Sequence, residues 1–180
     1  MAETYKMTIA GLERELPICP LNEKLDIAAF VMFSDVELTV AAASELLKKC
    51  GDFDVILTAE SKGIPLAFEM ARQCGKPYVV ARKSVKLFMK NPISVTVKSI
   101  TTAHEQVLHL AEDKAAMLRD KKVLILDDVI STGESLIALE KLTKAAGGNI
   151  VCEAAVLAEG DAAERDDIVF LEKLPLFYKL

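Results

Sequence analysis

Two spacings of apolar residues alternate along this chain, short unbroken runs and runs with every third or fourth position apolar. The first marks strands buried on both faces, and the second marks helices packed on one side. Asp35 precedes a stretch in which Leu38, Ala42, Leu46 and Leu47 share a helical face, and Gly51 follows as a stop. The run from Asp54 to Thr58 reads as a buried strand. Pro65 then suits the first turn of a helix carrying Leu66, Phe68, Met70 and Ala71 and ending at Gly75. Tyr78 to Ala81 is the next strand, a helix is expected over 111–118, and positions 123–126 form a strand that ends on Asp127 and Asp128. Leu136, Leu139 and Leu142 define a helix that stops at Gly147-Gly148, and a strand follows over 150–157. Apolar runs at 168–171 and 174–177 close the chain. This order predicts an α/β fold with an open, mostly parallel sheet and helices on both faces.

Two segments break the alternation. Residues 5–18 alternate weakly about Gly11 and suit a small hairpin outside the main sheet. Residues 83–110 are polar and strand-prone, with Ile93, Val95 and Val97 set against Ser94, Thr96 and Lys98. So long an insertion inside a compact unit points to function, and its alternation predicts a protruding two-stranded arm.

A length of 180 residues suits a single domain with a substantial core. No apolar run approaches the roughly 18 residues of a membrane span. The first residues lack a basic segment followed by an apolar one, so no signal peptide and a cytoplasmic location are expected. The net charge of −5 argues against nucleic acid as a partner. Cys19, Cys50, Cys74 and Cys152 are widely spaced and read as reduced, packed thiols. His104 and His109 have no clustered acid or cysteine near them in sequence, so no protein-held metal site is expected.

The chemistry concentrates at the end of the 123–126 strand. Asp127 and Asp128 are followed by Val129, Ile130, Ser131, Thr132, Gly133, Glu134 and Ser135, which lead into the next helix. A strand that turns into a helix directs free backbone N–H groups and the positive end of a helix dipole at one point. The hydroxyls of Ser131, Thr132 and Ser135 and the close approach allowed by Gly133 complete a place for a phosphate. The acids need another partner, because two unit charges 4 Å apart cost roughly 4 kcal/mol at an effective dielectric of 20. A phosphorylated ribose, with hydroxyls for the acids and a phosphate for the turn, satisfies both. Glu60, Ser61, Lys62 and Gly63 follow another strand at the same expected sheet edge, where ligands of open α/β sheets bind. Arg82, Lys83 and Lys86 follow the next strand, and Glu159 the one after the motif helix.

The run of apolar strand, Asp127-Asp128, two residues and Ser131-Thr132-Gly133 resembles the 5-phosphoribosyl-1-pyrophosphate (PRPP) motif of type I phosphoribosyltransferases. The resemblance spans roughly residue 30 to the end of the chain. It implies that Asp127 and Asp128 contact the ribose hydroxyls and that residues 129–135 wrap the 5′-phosphate. Glu60-Ser61-Lys62-Gly63 resembles the family's pyrophosphate loop, and Arg82-Lys83 with Lys86 resembles the start of its mobile loop. These would receive the diphosphate, with Mg2+ expected to enter through PRPP. A small hood formed by residues 1–30 and the C-terminal end, the arm over 83–110 and a homodimer are further implications.

Phe33-Ser34-Asp35 and Leu174-Pro-Leu-Phe177 are similar to stretches of adenine phosphoribosyltransferases, and Phe33 and Glu159 are candidates for the base pocket. Ser34 replaces an Arg of that pattern, and Lys98 stands about where the adenine enzymes carry a Glu, so no catalytic acid is carried over. The Ser-rich arm is closer to xanthine phosphoribosyltransferases and to the phosphoribosyltransferase-like domain of the purine repressor. The expected reaction is adenine plus PRPP to AMP and diphosphate. The alternatives are a xanthine enzyme and a non-catalytic PRPP or nucleotide sensor.

Overall fold

The computed structural model describes residues 3–98 and 105–179. Its elements follow in the order β1 (Thr4–Ile9), β2 (Leu12–Pro20), β3 (Leu25–Ala28), α1 (Val36–Lys49), β4 (Val55–Ala59), α2 (Ile64–Cys74), β5 (Tyr78–Ala81), β6 (Ile93–Lys98) and β7 (Glu105–Leu110). Then come α3 (Glu112–Ala116), β8 (Lys122–Ile130), α4 (Glu134–Ala145), β9 (Asn149–Glu159), a 3-10 turn (Gly160–Glu164), β10 (Val169–Leu174) and β11 (Leu176–Tyr178).

Strands β10, β9, β8, β4 and β5 lie side by side, all parallel. Every residue of β4 is buried because both faces of the sheet are covered. On one face Leu136, Leu139 and Leu142 of α4 pack with Leu57, Ile125 and Ala155. On the other, Leu38 and Leu46 of α1 and Leu66 and Met70 of α2 pack with Ile56, Leu124 and Val156. Helix ends follow local chemistry. The Asp35 carboxylate accepts the Leu38 N–H at 3.0 Å, and Gly75 closes α2 at φ 72°.

Three expectations change. Strand β8 does not stop before the acids but continues to Ile130, because β9 keeps pairing with it through Asp127↔Ala155 and Ile130↔Ala158. Asp127 and Asp128 are therefore strand residues, rigidly held. The helix expected over 111–118 is the short α3. The N-terminal hairpin pairs Ile9↔Leu12 as its turn residues suggest, but it belongs to a larger antiparallel sheet, β1-β2-β3-β11, that brings both ends of the chain together as the hood.

The arm strands β6 and β7 pair antiparallel from Ile93↔Leu110 to Lys98↔Glu105, and 99–104 lie outside the described residues. This arm protrudes less than its polarity suggests. Val97, Leu108 and Leu110 are buried in the core beside α4, so the alternating apolar face is a packing face.

Arg14 of β2 fastens the hood to α1. Its Nε donates to Asp35 Oδ2 at 2.7 Å and its Nη2 to Glu37 Oε2 at 2.8 Å. The guanidinium holds the Asp35 carboxyl below the usual carboxylate range. Tyr5 and Phe177 add an edge-to-face ring contact at 5.3 Å. Arg14→Ala should lower the melting temperature by roughly 2–6 °C, the equivalent of about 1–2 kcal/mol for a charge-assisted pair. Thermal unfolding checks this, and an unchanged melting temperature would mean that the hood is held by its apolar contacts alone.

Candidate functional site

A cavity of about 390 Å³ opens at the carboxyl end of the central sheet, beneath the hood. Its floor comes from the ends of β4, β8 and β9, and its roof from Ile27 to Val31 and Leu174. A sheet of parallel strands with covered faces leaves this edge as the place where chain groups converge without mutual pairing.

Asp127 and Asp128 both line the cavity. Asp128 is only 3% exposed, yet its Oδ2 faces no hydrogen-bond donor in alignment; Lys62 Nζ lies 3.2 Å away as an ion pair. Asp127 Oδ1 accepts the Asp128 backbone N–H at 2.8 Å. Burial first, and the neighbouring Asp128 charge second, push the Asp127 carboxyl up to about 7. Lys62 opposes that rise but does not cancel it.

Gly63 permits this crowding. A Cβ there would collide with the Thr58 hydroxyl and would come 3.5 Å from Asp127 Oδ1. The Thr58 hydroxyl is buried without a hydrogen-bond partner among the described residues. The preceding Glu60–Ser61 peptide is cis.

The turn after β8 meets the cavity through Val129, Ser131 and Ser135. Gly133, at φ 79°, starts α4, and its position supplies no side-chain cap for that end of the helix. Ile130 is packed in the core, and Thr132, Gly133 and Glu134 stand outside the cavity wall. Gln106 of the arm reaches this turn, its Nε2 donating to Ser135 Oγ at 3.2 Å.

The cations divide. Lys62 and Lys83 line the cavity, as do Glu60 and Ser61. Arg82 lies 3.2 Å from Glu60 and borders a separate hollow with Phe88 and Met89. Lys86 Nζ donates to Ser84 Oγ at 2.7 Å and does not enter the cavity. Phe33 is exposed at 47%, and Phe30 and Val31 line the cavity instead. Glu159 is in the wall, its carboxyl raised by burial.

Sequence reading missed Gln106, Thr58 and the stretch from Ile27 to Val31. Gln106 sits in a polar insertion with no motif, and no element is expected over Ile27 to Val31. Thr58 and Gly63 are legible only together, once the turn brings them into contact.

Comparison with protein families matches residues 36–175 to the phosphoribosyl transferase domain. A hypoxanthine/guanine phosphoribosyltransferase of Methanothermococcus okinawensis is 30% identical over 161 residues, covering 85% of this chain and 84% of its own. An adenine phosphoribosyltransferase of Thermotoga neapolitana is 37% identical over 100 residues, so this chain spans only about half the length of that relative, 55%. Among solved structures, adenine phosphoribosyltransferase from Thermoanaerobacter pseudethanolicus superposes with a TM-score of 0.68 at 23% identity, over 79% of this chain and 84% of that one. The Saccharomyces cerevisiae adenine phosphoribosyltransferase, solved with adenine and an iminoaltritol bisphosphate, gives 0.66 at 20% identity over 93% of both chains. At such identities these likenesses are of fold.

The raised Asp127 value has a direction in stability. The folded chain holds a proton at Asp127 more tightly than the unfolded chain, so stability declines as pH rises from the ordinary aspartate range toward about 7. Asp127→Asn keeps an acceptor for the Asp128 amide and removes the charge. Its melting temperature should exceed that of the wild type by a few degrees at pH 8, and by less at pH 5; a pH-independent difference would contradict the burial account. Gly63→Ala should destabilise by about 1–3 kcal/mol through overpacking. Adding Thr58→Ala, which removes the colliding hydroxyl, should recover most of that loss in thermal unfolding.

Proposed function

The chain belongs to the phosphoribosyl transferase family, and on that premise we propose that it transfers the phosphoribosyl group of PRPP to a purine base, adenine first among them, with release of diphosphate. The observation that carries this reading is one cavity bounded by the buried acid pair, the start of α4 and the two lysines Lys62 and Lys83.

In this reading the 5′-phosphate lies against the N–H groups that begin α4 and the hydroxyls of Ser131 and Ser135, where the helix dipole favours an anion. Asp127 and Asp128 accept hydrogen bonds from the ribose hydroxyls. Their negative charge also favours the positive charge that builds at the anomeric carbon as the diphosphate departs. Lys62 leaves Asp128 for the diphosphate, and Lys83 meets the same anion from the other side. The arm and the hood exclude water, which would otherwise take the place of the base. Arg82 and Lys86 act at the root of the arm rather than on the ligand. The base lies between Phe30, Val31 and Glu159.

Mg2+ suits this electrostatics, since the acid pair is short of positive charge, as the raised Asp127 value reports. The ion would enter on PRPP, with Asp127 and Asp128 nearby. When bound it screens the diphosphate charge. Exposed Val36, Val40 and Phe68, which meet along α1 and α2, support assembly as a homodimer.

A second reading, a 6-oxopurine as the base, is favoured by the Methanothermococcus relative, which is similar over most of both chains and is named for hypoxanthine and guanine. Incubation with PRPP, Mg2+ and adenine, hypoxanthine, guanine or xanthine separately, read by mass spectrometry, decides between them. AMP is the expected product; IMP, GMP or XMP in its place would move the protein to the other base class. PRPP binding without any nucleotide product would leave a sensor. Asp128→Asn should keep the fold by circular dichroism and lose about 100-fold or more in kcat, the scale of one well-placed electrostatic group.

A further inference from the structure

Glu60 is the one acid of the pyrophosphate-type loop, and a carboxylate pointed at a diphosphate is repulsive. The structure gives its oxygens other work. Oε2 accepts the backbone N–H of Lys83 at 2.8 Å, and Oε1 lies 3.2 Å from Arg82 Nε. The Glu60 backbone N–H in turn donates to Ala81 O at 2.9 Å. Arg82 carries the connection onward: its N–H donates to His109 O at 2.9 Å and its carbonyl accepts the His109 N–H at 2.8 Å. His109 Nδ1 is 2.7 Å from Ser94 Oγ on the facing strand. A continuous set of polar contacts therefore runs from the loop after β4, through the end of β5, into both strands of the arm.

We propose that Glu60 is a positioning residue that fixes the root of the arm and, through its main chain, the Lys83 side chain in the cavity. It acts through Lys83 and not on a ligand. Because Ser61, Lys62 and Gly63 follow directly, an anion held by that loop is one residue away from the contact that anchors the arm. Occupancy of the cavity is thereby coupled to the arm. The coupling to turnover rests on the transferase reading; the anchoring itself does not.

The hydrogen bond can be separated from the charge. Glu60→Gln keeps an amide oxygen at the same reach and removes the charge. Glu60→Asp keeps the charge and withdraws it by one methylene, and Glu60→Ala removes both. Hydrogen exchange of the amides at 82–92, read by mass spectrometry on the full chain, tests the anchoring without any ligand. Lys83 should exchange about tenfold faster in Glu60→Ala and Glu60→Asp, the loss expected for one charge-assisted bond, and close to the wild-type rate in Glu60→Gln. The KM for PRPP should follow the same order, with Glu60→Gln nearest the wild type. Unchanged exchange in Glu60→Ala overturns the proposal. So does Glu60→Asp outperforming Glu60→Gln in KM while its Lys83 amide exchanges faster, which would make Glu60 a charge that meets a ligand or its ion. If the exchange order holds but the wild-type protein forms no nucleotide, the transferase reading fails and the anchor stands.

Discussion

Two adjacent carboxylates at the end of a buried strand set the terms for everything around them. Pairing with β9 continues through Asp127, which keeps the two acids on the strand, and burial leaves their mutual repulsion poorly screened. The chain answers with Lys62 against Asp128, while burial and the neighbouring charge raise the Asp127 carboxyl. A glycine at 63 and a threonine at 58 then press in so closely that no larger side chain fits. The repulsion of this pair is what the hydroxyl donors of a ribose and an accompanying cation would relieve. Strain at a functional site is tolerated where the rest of the fold is well packed, and here two apolar clusters enclose the sheet on either face.

The site joins four parts of the chain that are distant in sequence. The loop after β4 brings Lys62, the end of β5 brings Lys83, the turn after β8 brings the start of α4, and the two chain ends bring the hood. Each part is held by a specific contact: Arg14 to Asp35 and Glu37 for the hood, Glu60 to Lys83 for the arm root, Gln106 to Ser135 for the arm strand. The arm is thus a structural element of the core side as well as a cover, and its polar sequence conceals that.

The order of strands and helices was legible because a parallel sheet forces apolar runs and helices force a 3.6-residue period. The acid pair, the turn to α4 and the loop at 60–63 were legible because each is contiguous in sequence. What stayed hidden depends on tertiary contact. Strand β8 outruns its apolar stretch because β9 continues to pair with it. Arg82 and Lys86 have the right charge and neighbourhood, but neither lines the cavity: Arg82 lies against Glu60, and Lys86 donates to Ser84. Phe33 sits at the predicted stretch, yet it is Phe30, buried, and Val31 that line the cavity. The hood assembles from segments about 150 residues apart, as the Leu176↔Ile27 pairing shows, and no local pattern announces such a meeting.

If the acid pair is what the ligand relieves, binding must change its protonation. Calorimetric titration of PRPP with Mg2+ into the protein, in buffers of different ionisation enthalpy, counts the protons exchanged. At a pH near 7 the wild type should release up to about half a proton per site, as Asp127 ionises on accepting the ribose hydroxyls; at pH 8.5 it should release almost none. Asp127→Asn should lose the release at the lower pH. The same proton count in wild type and variant at both pH values would contradict the account, because the carboxylates would then carry no strain for the ligand to remove.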